Sequence, residues 1–270
     1  MIDGQRNHLS DGDVIGVGYL YLTWSGTAAM TSHSGYLYAV QGNTLWRVNL
    51  SNGDATPFSD YPDSWPGTEA MTTDSGLLSG SYLYAVQGGT LWRVNLSNGD
   101  VTPFSDYPDG WPGTEAMTAY NGYLYAVQGG TLWRVNLSNG DVTPFSDYPD
   151  GWPGTEAMTA YGGYLYAIQS GVLWRVNLSN GDVTPFSDYP DGWPGTEAMT
   201  AYGGYLYAIQ SDVLWRVNLS NGDVTPFSDY PNGWPGTGAI TAYGGYLYAA
   251  NDGLLWRVNI NNGDVTPFGN

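Results

Sequence analysis

The feature that most constrains this chain is its tryptophan spacing. Twelve tryptophans fall into two columns of six, and in each column the step is 41 residues apart from a single step of 46. One column sits within Leu-Trp-Arg-Val, at Trp46, Trp92, Trp133, Trp174, Trp215 and Trp256. The other is Trp24, Trp65, Trp111, Trp152, Trp193 and Trp234. Both columns carry the same five-residue excess, which maps to one insertion near Thr73 to Ser81. A fixed period between about 20 and 50 residues defines a solenoid, propeller or array of one supersecondary unit.

Each unit reads as four strands, because every break between apolar runs is a turn dipeptide. In the third unit the strands are expected at Thr114–Tyr120 (Thr155–Tyr161 in the fourth), Tyr123–Gln128, Leu132–Leu137 and Val142–Phe145. Asn121-Gly122 and Gly129-Gly130 separate the first three, and Asn139-Gly140 predicts a type I′ hairpin into the last. No segment shows a helical period. Strands apolar on both faces imply sheets stacked against like sheets, and neither end unit resembles a polar cap, so the units are expected to close into a ring. The reading is an all-β, six-bladed β-propeller with four antiparallel strands per blade, closing as a monomer.

Residues 1–12 are expected to form a polar tail and 13–270 a single propeller domain. Asp13-Val14 to Trp24 matches the spacing of Asp141-Val142 to Trp152, while the chain also ends on an outer strand of its own, Asp264–Phe268. Residues 13–23 are therefore expected to supply an extra strand at the edge of the last blade or across the ring seam.

Composition removes several classes of function. There are 25 acidic residues against seven arginines and no lysine, a formal charge of −18, which opposes a nucleic-acid or anionic-membrane partner. The polar start has no apolar run of signal-peptide length, and no segment approaches the roughly 18 apolar residues of a membrane span, so the chain reads as soluble without membrane insertion. There is no cysteine, hence no disulfide and no thiolate nucleophile or ligand.

Strand direction puts the long connector between units and the turn between second and third strands on one face of the ring. That connector concentrates aromatic rings and carboxylates on a proline-stiffened backbone. Its candidate ligand-binding residues are Asp60, Tyr61, Asp63 and Trp65; Asp106, Tyr107, Asp109 and Trp111; Asp147, Tyr148, Asp150 and Trp152; and Asp188, Tyr189, Asp191 and Trp193. A degenerate fifth copy keeps Asp229, Tyr230 and Trp234 but has Asn232 for the second Asp and Gly238 for the Glu found elsewhere. A flat ring face suits the C–H side of a pyranose, and fixed carboxylates with Gln128 on the adjoining turn suit its hydroxyls. Against this, a Trp heading an innermost strand also reads as a wedge between blades, and the Leu-Trp-Arg-Val column reads as buried.

Other residues carry weaker signals. Asp147, Asp150 and Glu156 offer oxygen ligands, so calcium is the one cofactor to consider, but their spacing is not that of an EF-hand loop, and the expectation is no cofactor. Glu69, Glu115, Glu156 and Glu197 open the innermost strands and are expected at the channel mouth. The six arginines of the Leu-Trp-Arg-Val column read as ion pairs or backbone hydrogen bonds inside the blade. His8 and His33 are isolated, and identical repeats repeat one environment, whereas acid–base catalysis needs two different ones, so no enzyme is expected.

The run Leu-Tyr-Ala-Val-Gln-Gly-Gly-Thr-Leu-Trp-Arg-Val, with a Trp heading the next unit, resembles the tectonin and tachylectin-type propeller lectins, in a form with near-identical repeats. The resemblance spans about Asp13 to Phe268 and implies ligands bound once per blade, in loops on one face or between blades. Glycans bound at several equivalent sites are the expected partners, gaining avidity from multiplicity. The alternative is a non-enzymatic structural or protein-interaction scaffold.

Overall fold

The computed structural model describes residues 23–59, 65–74, 81–105, 107, 110–146, 148, 151–187, 189, 192–228, 230 and 233–269. Within them the chain forms six four-stranded sheets, each ordered as in the sequence with every neighbouring pair antiparallel. Blade 1 contains β1 (Ala29–His33), β2 (Tyr36–Gln41), β3 (Thr44–Asn49) and β4 (Ala55–Pro57). Blade 2 contains β5 (Thr68–Thr73), β6 (Tyr82–Gln87), β7 (Thr90–Asn95) and β8 (Val101–Pro103). In blade 3 the strands are β9 (Thr114–Tyr120), β10 (Tyr123–Gln128), β11 (Thr131–Asn136) and β12 (Val142–Pro144). Blade 4 has β13 (Thr155–Tyr161), β14 (Tyr164–Gln169), β15 (Val172–Asn177) and β16 (Val183–Pro185). Blade 5 has β17 (Thr196–Tyr202), β18 (Tyr205–Gln210), β19 (Val213–Asn218) and β20 (Val224–Pro226). Blade 6 has β21 (Ala239–Tyr243), β22 (Tyr246–Asn251), β23 (Leu254–Asn259) and β24 (Val265–Pro267). The five-residue insertion lies between β5 and β6.

The second strand of each blade is buried on both faces, which follows from its alternation. In β10, Leu124 and Ala126 pack with Tyr84 and Val86 of blade 2, whereas Tyr125 and Val127 pack with Leu165 and Ala167 of blade 4. Each inter-blade layer is thus a small core closed by one Trp of the second column. Five of these tryptophans, Trp65, Trp111, Trp152, Trp193 and Trp234, are only 1–2% exposed, and the sixth, Trp24, is 4% exposed. The outermost strands are three residues long and end in proline, which shortens the free edge and denies it a donor.

Ring closure repeats the contact used at the other junctions. The backbone N–H of Trp152 donates to Gly130 O at 2.7 Å, pinning the connector to the turn of the preceding blade. At the seam Trp24 N–H donates to Gly253 O at 2.9 Å, and Trp24 packs with Ala239, Tyr248 and Leu255 of blade 6. Blade 6 is completed by its own β24; the expected extra strand at 13–22 lies outside the described residues.

The turn at Asn139-Gly140 differs from the expected I′ hairpin. Asn136 N–H donates to Asp141 O and Gly140 N–H to Asn136 O, a wider turn in which Gly140, at φ +81°, has positive φ while Asn139 does not. The side chain of Asn136 explains the change: its Oδ1 accepts from the N–H and hydroxyl of Ser138 at 2.9 and 2.7 Å, an Asx turn. The Asn-Leu-Ser triplet is therefore a turn-forming device in the five copies that carry it, and Asn259-Ile260-Asn261 makes the same backbone contact in the sixth.

Candidate functional site

The connector and the turn between second and third strands share one face, as the hydrogen bond from Trp152 to Gly130 shows, while Leu137 N–H to Gly122 O joins the two turns of the opposite face. On the connector face, Gln128 Nε2 donates to Pro112 O at 3.3 Å and Gln169 Nε2 to Pro153 O at 3.2 Å. These amides hold the loop in place.

Tyr148 is half-buried, with its ring centroid 5.3 Å from that of Trp152 and 5.0 Å from that of Trp174 on β15. The same pair of contacts recurs at Tyr107, Tyr189 and Tyr230, with Trp133, Trp215 and Trp256 as the outer partners. The second tryptophan column takes the wedge position between blades, whereas the Leu-Trp-Arg-Val column, expected to be buried, is only partly so. Trp65, Trp111, Trp152, Trp193 and Trp234 have closed faces, because each lies between blades and under a connector; the Nε1–H of Trp111 donates to Ser105 Oγ at 2.9 Å. Trp133, Trp174, Trp215 and Trp256 are the half-exposed rings, since their mid-strand position lies near the outer edge of the blade where only the short fourth strand follows. Spacing alone could not separate the columns; the signal that could is the exposed fourth strand, too short to cover the third.

The connector carboxylates Asp60, Asp63, Asp106, Asp109, Asp147, Asp150, Asp188, Asp191 and Asp229, with Tyr61, lie outside the described residues. Among the described residues there is no group of three or more His, Cys, Asp or Glu placed to hold a metal ion.

The channel-mouth glutamates do something not legible in the repeat. In β9 the pairing with β10 slips between Thr114 and Ala116, so Glu115 is the extra residue of a bulge. A bulge re-aims its side chain. Glu115 Oε2 accepts from Thr155 N–H of the next blade at 2.7 Å, and Glu69 and Glu156 do the same with Thr114 and Thr196. Glu197 is bound likewise by Thr237 N–H; desolvation raises its pKa, the backbone hydrogen bond lowers it, the Asp212 carboxylate raises it, and the net direction is upward from 4.5. In blades 1 and 6 Ala28 and Gly238 replace the glutamate. A Cβ at Gly238 would come within 2.8 Å of Thr27 O, so the seam is drawn together by backbone where the four junctions from blade 2 to blade 6 use a glutamate side chain.

The arginines are held by rings, where ion pairs or backbone hydrogen bonds were expected. Arg134 lies over the Tyr123 ring at 4.9 Å and the Phe145 ring at 5.1 Å, and the other five repeat this pair of cation–π contacts.

These features define a six-bladed propeller whose rim carries a repeated aromatic junction. The chain belongs to the family described as Repeat of unknown function (DUF6923), whose model matches residues 26–162, just over half its length. No curated protein matches it. Among solved structures, a chain of the nidogen/laminin complex aligns with TM-score 0.60 at 12% identity, covering 74% of this chain and 78% of that one. The extracellular domain of a one-component system from B. thetaiotaomicron aligns with TM-score 0.60 at 14% identity, over 92% of this chain and 38% of that one. PorZ, a surface component of the type-IX secretion system of Porphyromonas gingivalis, gives TM-score 0.56 at 11% identity, over 90% and 38%. This chain thus spans under two fifths of the length of those two bacterial proteins. With 1008 solved chains matching, likeness of fold selects no single activity. No helix among the described residues is long and apolar enough to cross a membrane.

Proposed function

We propose that this propeller is a multivalent carbohydrate-binding protein with one site at each aromatic junction. The observation that carries the reading is the half-exposed Tyr–Trp pair repeated at Tyr107/Trp133, Tyr148/Trp174, Tyr189/Trp215 and Tyr230/Trp256. A pyranose ring would lie on the outer tryptophan, with the connector aspartates within the same loop to receive its hydroxyls. The resemblance to tectonin-type lectins and the near-identity of the repeats agree with this, since several weak sites on one rigid ring gain avidity on a clustered surface. The protein is read as non-enzymatic and cofactor-free, because the complete junctions repeat the same groups and the others depart from them only by loss, so none gains a unique acid–base pair in the sequence.

A glycan array probed with the intact labelled protein, in calcium and in chelator, tests the reading. Saturable binding that is lost when Trp133, Trp174, Trp215 and Trp256 are changed to Ala supports it. Silence from folded protein across a broad array transfers the proposal to a protein-interaction scaffold. Loss in chelator alone would assign the connector carboxylates to a metal.

A further inference from the structure

Charge in this molecule is lopsided, with 25 acidic residues against seven arginines and no lysine. Six of those arginines occupy one equivalent position in the third strand of each blade: Arg47, Arg93, Arg134, Arg175, Arg216 and Arg257. Despite the excess of carboxylates, their contacts are aromatic. Each guanidinium carbon lies 4.7–5.2 Å from the centroids of two rings, the Tyr that opens the second strand and the Phe that follows the fourth.

A ring face stabilises the positive charge but accepts none of the in-plane N–H bonds of a guanidinium, which carries five. Among the described residues no carboxylate, carbonyl or hydroxyl oxygen takes the Nη hydrogens of these arginines. Among the described residues the guanidinium nitrogens that are both fully buried and without a partner are Nε of Arg93 and Arg257; no Nη atom of the six is among them, and all six arginines are half-buried. The result is a planar donor fork, stiffened by two rings and without a hydrogen-bond acceptor among the described residues.

The fork belongs to the same junction as the Tyr–Trp pair. Between blades 4 and 5, Tyr164 and Phe186, which hold Arg175, pack against the core cluster that Tyr189 and Trp215 also border. The junctions of Arg93, Arg134 and Arg216 are built the same way, with Tyr107/Trp133, Tyr148/Trp174 and Tyr230/Trp256. At the seam Tyr246, Phe268 and Trp46 surround the corresponding cluster, and the connector preceding Trp24 has Leu20 where the others have Tyr.

We propose that these arginines are oxyanion-binding positions, each taking the carboxylate or sulfate of a singly charged acidic sugar whose ring lies on the adjacent Tyr–Trp pair. The proposal rests on the carbohydrate reading and names its substrate class. A guanidinium fork pairs with a carboxylate or sulfate through two parallel N–H···O bonds, which neutral hydroxyls do not reproduce. The overall charge of −18 selects against polyanions, whose many charges feel the whole field. A lone oxyanion flanked by neutral sugars is drawn mainly by the arginine within a screening length of about 8 Å.

The test uses the full-length protein, isotopically labelled so that the arginine Nε–Hε signals are resolved, titrated with three oligosaccharides of the same backbone. One ends in glucose, one in glucuronic acid and one in sulfated glucose. The expected result is preference for one or both acidic forms, with arginine signals moving during the titration. Affinity should fall about tenfold or more when Arg93, Arg134, Arg175 and Arg216 are all changed to Lys, which keeps the charge and loses the fork. The direct reading of the arginine signals on the unaltered protein decides the matter even if the quadruple variant does not fold. Equal binding of all three oligosaccharides with unmoved arginine signals overturns the oxyanion proposal and leaves the carbohydrate reading standing. Preference for an acidic form without arginine involvement also overturns it, and no binding of any form overturns both. The relative response to glucuronate and sulfate separates the two sources of the oxyanion.

Discussion

At the scale of single residues, the two tryptophan columns divide the labour of the junction. Trp152 is 1% exposed and fills the layer between blades 3 and 4, whereas Trp174 is half-buried with Tyr148 against it. Removing a fully buried indole leaves a cavity in a close-packed layer, so Trp152→Ala is expected to cost about 3–5 kcal/mol in a denaturation experiment. Trp174→Ala should cost clearly less and should instead weaken glycan binding at that junction; equal losses of stability would remove the distinction between the columns. Glu197 supplies a second residue-level test. Its pKa is raised above 4.5, chiefly by desolvation. A raised carboxyl favours the fold when protonated, so its contribution is present below pH 4.5 and is lost as pH rises through the raised value. Glu197→Gln keeps an acceptor for Thr237 N–H and removes the titration. The variant should show a flatter decline in stability across that window in melts at stepped pH; an unchanged slope would refute the assignment.

At the scale of elements, the sequence made the strands plain and left their sideways contacts hidden. The bounds expected for the first two strands of blade 3, Thr114–Tyr120 and Tyr123–Gln128, are those observed, because Asn121-Gly122 and Gly129-Gly130 punctuate an alternating pattern. The bulge at Glu115 gave no such signal, since a Glu opening a strand looks the same whether it faces the channel or reaches Thr155 of the next blade. The Asn139-Gly140 dipeptide alone does not reveal the wider turn, because Asn136, whose side chain organises the loop, lies outside it. That turn also has an inter-blade role. A Cβ on Gly140 would lie 2.9 Å from Phe104 O of the preceding blade, whereas one on Gly122, with nearly the same φ of +80°, would meet nothing within 4 Å. Both Gly→Ala changes carry the strain of positive φ, on the order of 1 kcal/mol. Only Gly140→Ala also pushes two blades apart, so it should be the more destabilising of the pair in urea titrations. Equal costs would mean that the blades are not in tight contact there.

At the scale of the whole molecule, the question is what fixes the number of blades. The contacts that set the angle between neighbours are short and each ends on backbone: the connector hydrogen bond such as Trp152 N–H to Gly130 O, the glutamate side chains that reach Thr N–H of the next blade, and the close approach of each outer-turn glycine to the previous blade. The seam reproduces two of them, with Trp24 N–H on Gly253 O and Gly53 against Gly269. Backbone contacts of this kind have little play, because packed interfaces resist continuous deformation. The near-identity of the repeats allows a clean test. Deleting residues 152–192 removes one full period and joins Gly151 to Trp193, a junction locally identical to the natural Gly192–Trp193. Local structure is then unchanged, and any consequence belongs to closure. Five units held at the angle of six cannot meet, and the two open blade faces, complementary but different, would bind head to tail in successive chains. The shortened protein should therefore keep its strand signature in far-UV circular dichroism while eluting as concentration-dependent oligomers in size-exclusion chromatography with light scattering. A compact monomer as stable per residue as the parent would show instead that the junctions flex, and that blade number is set by the length of the chain.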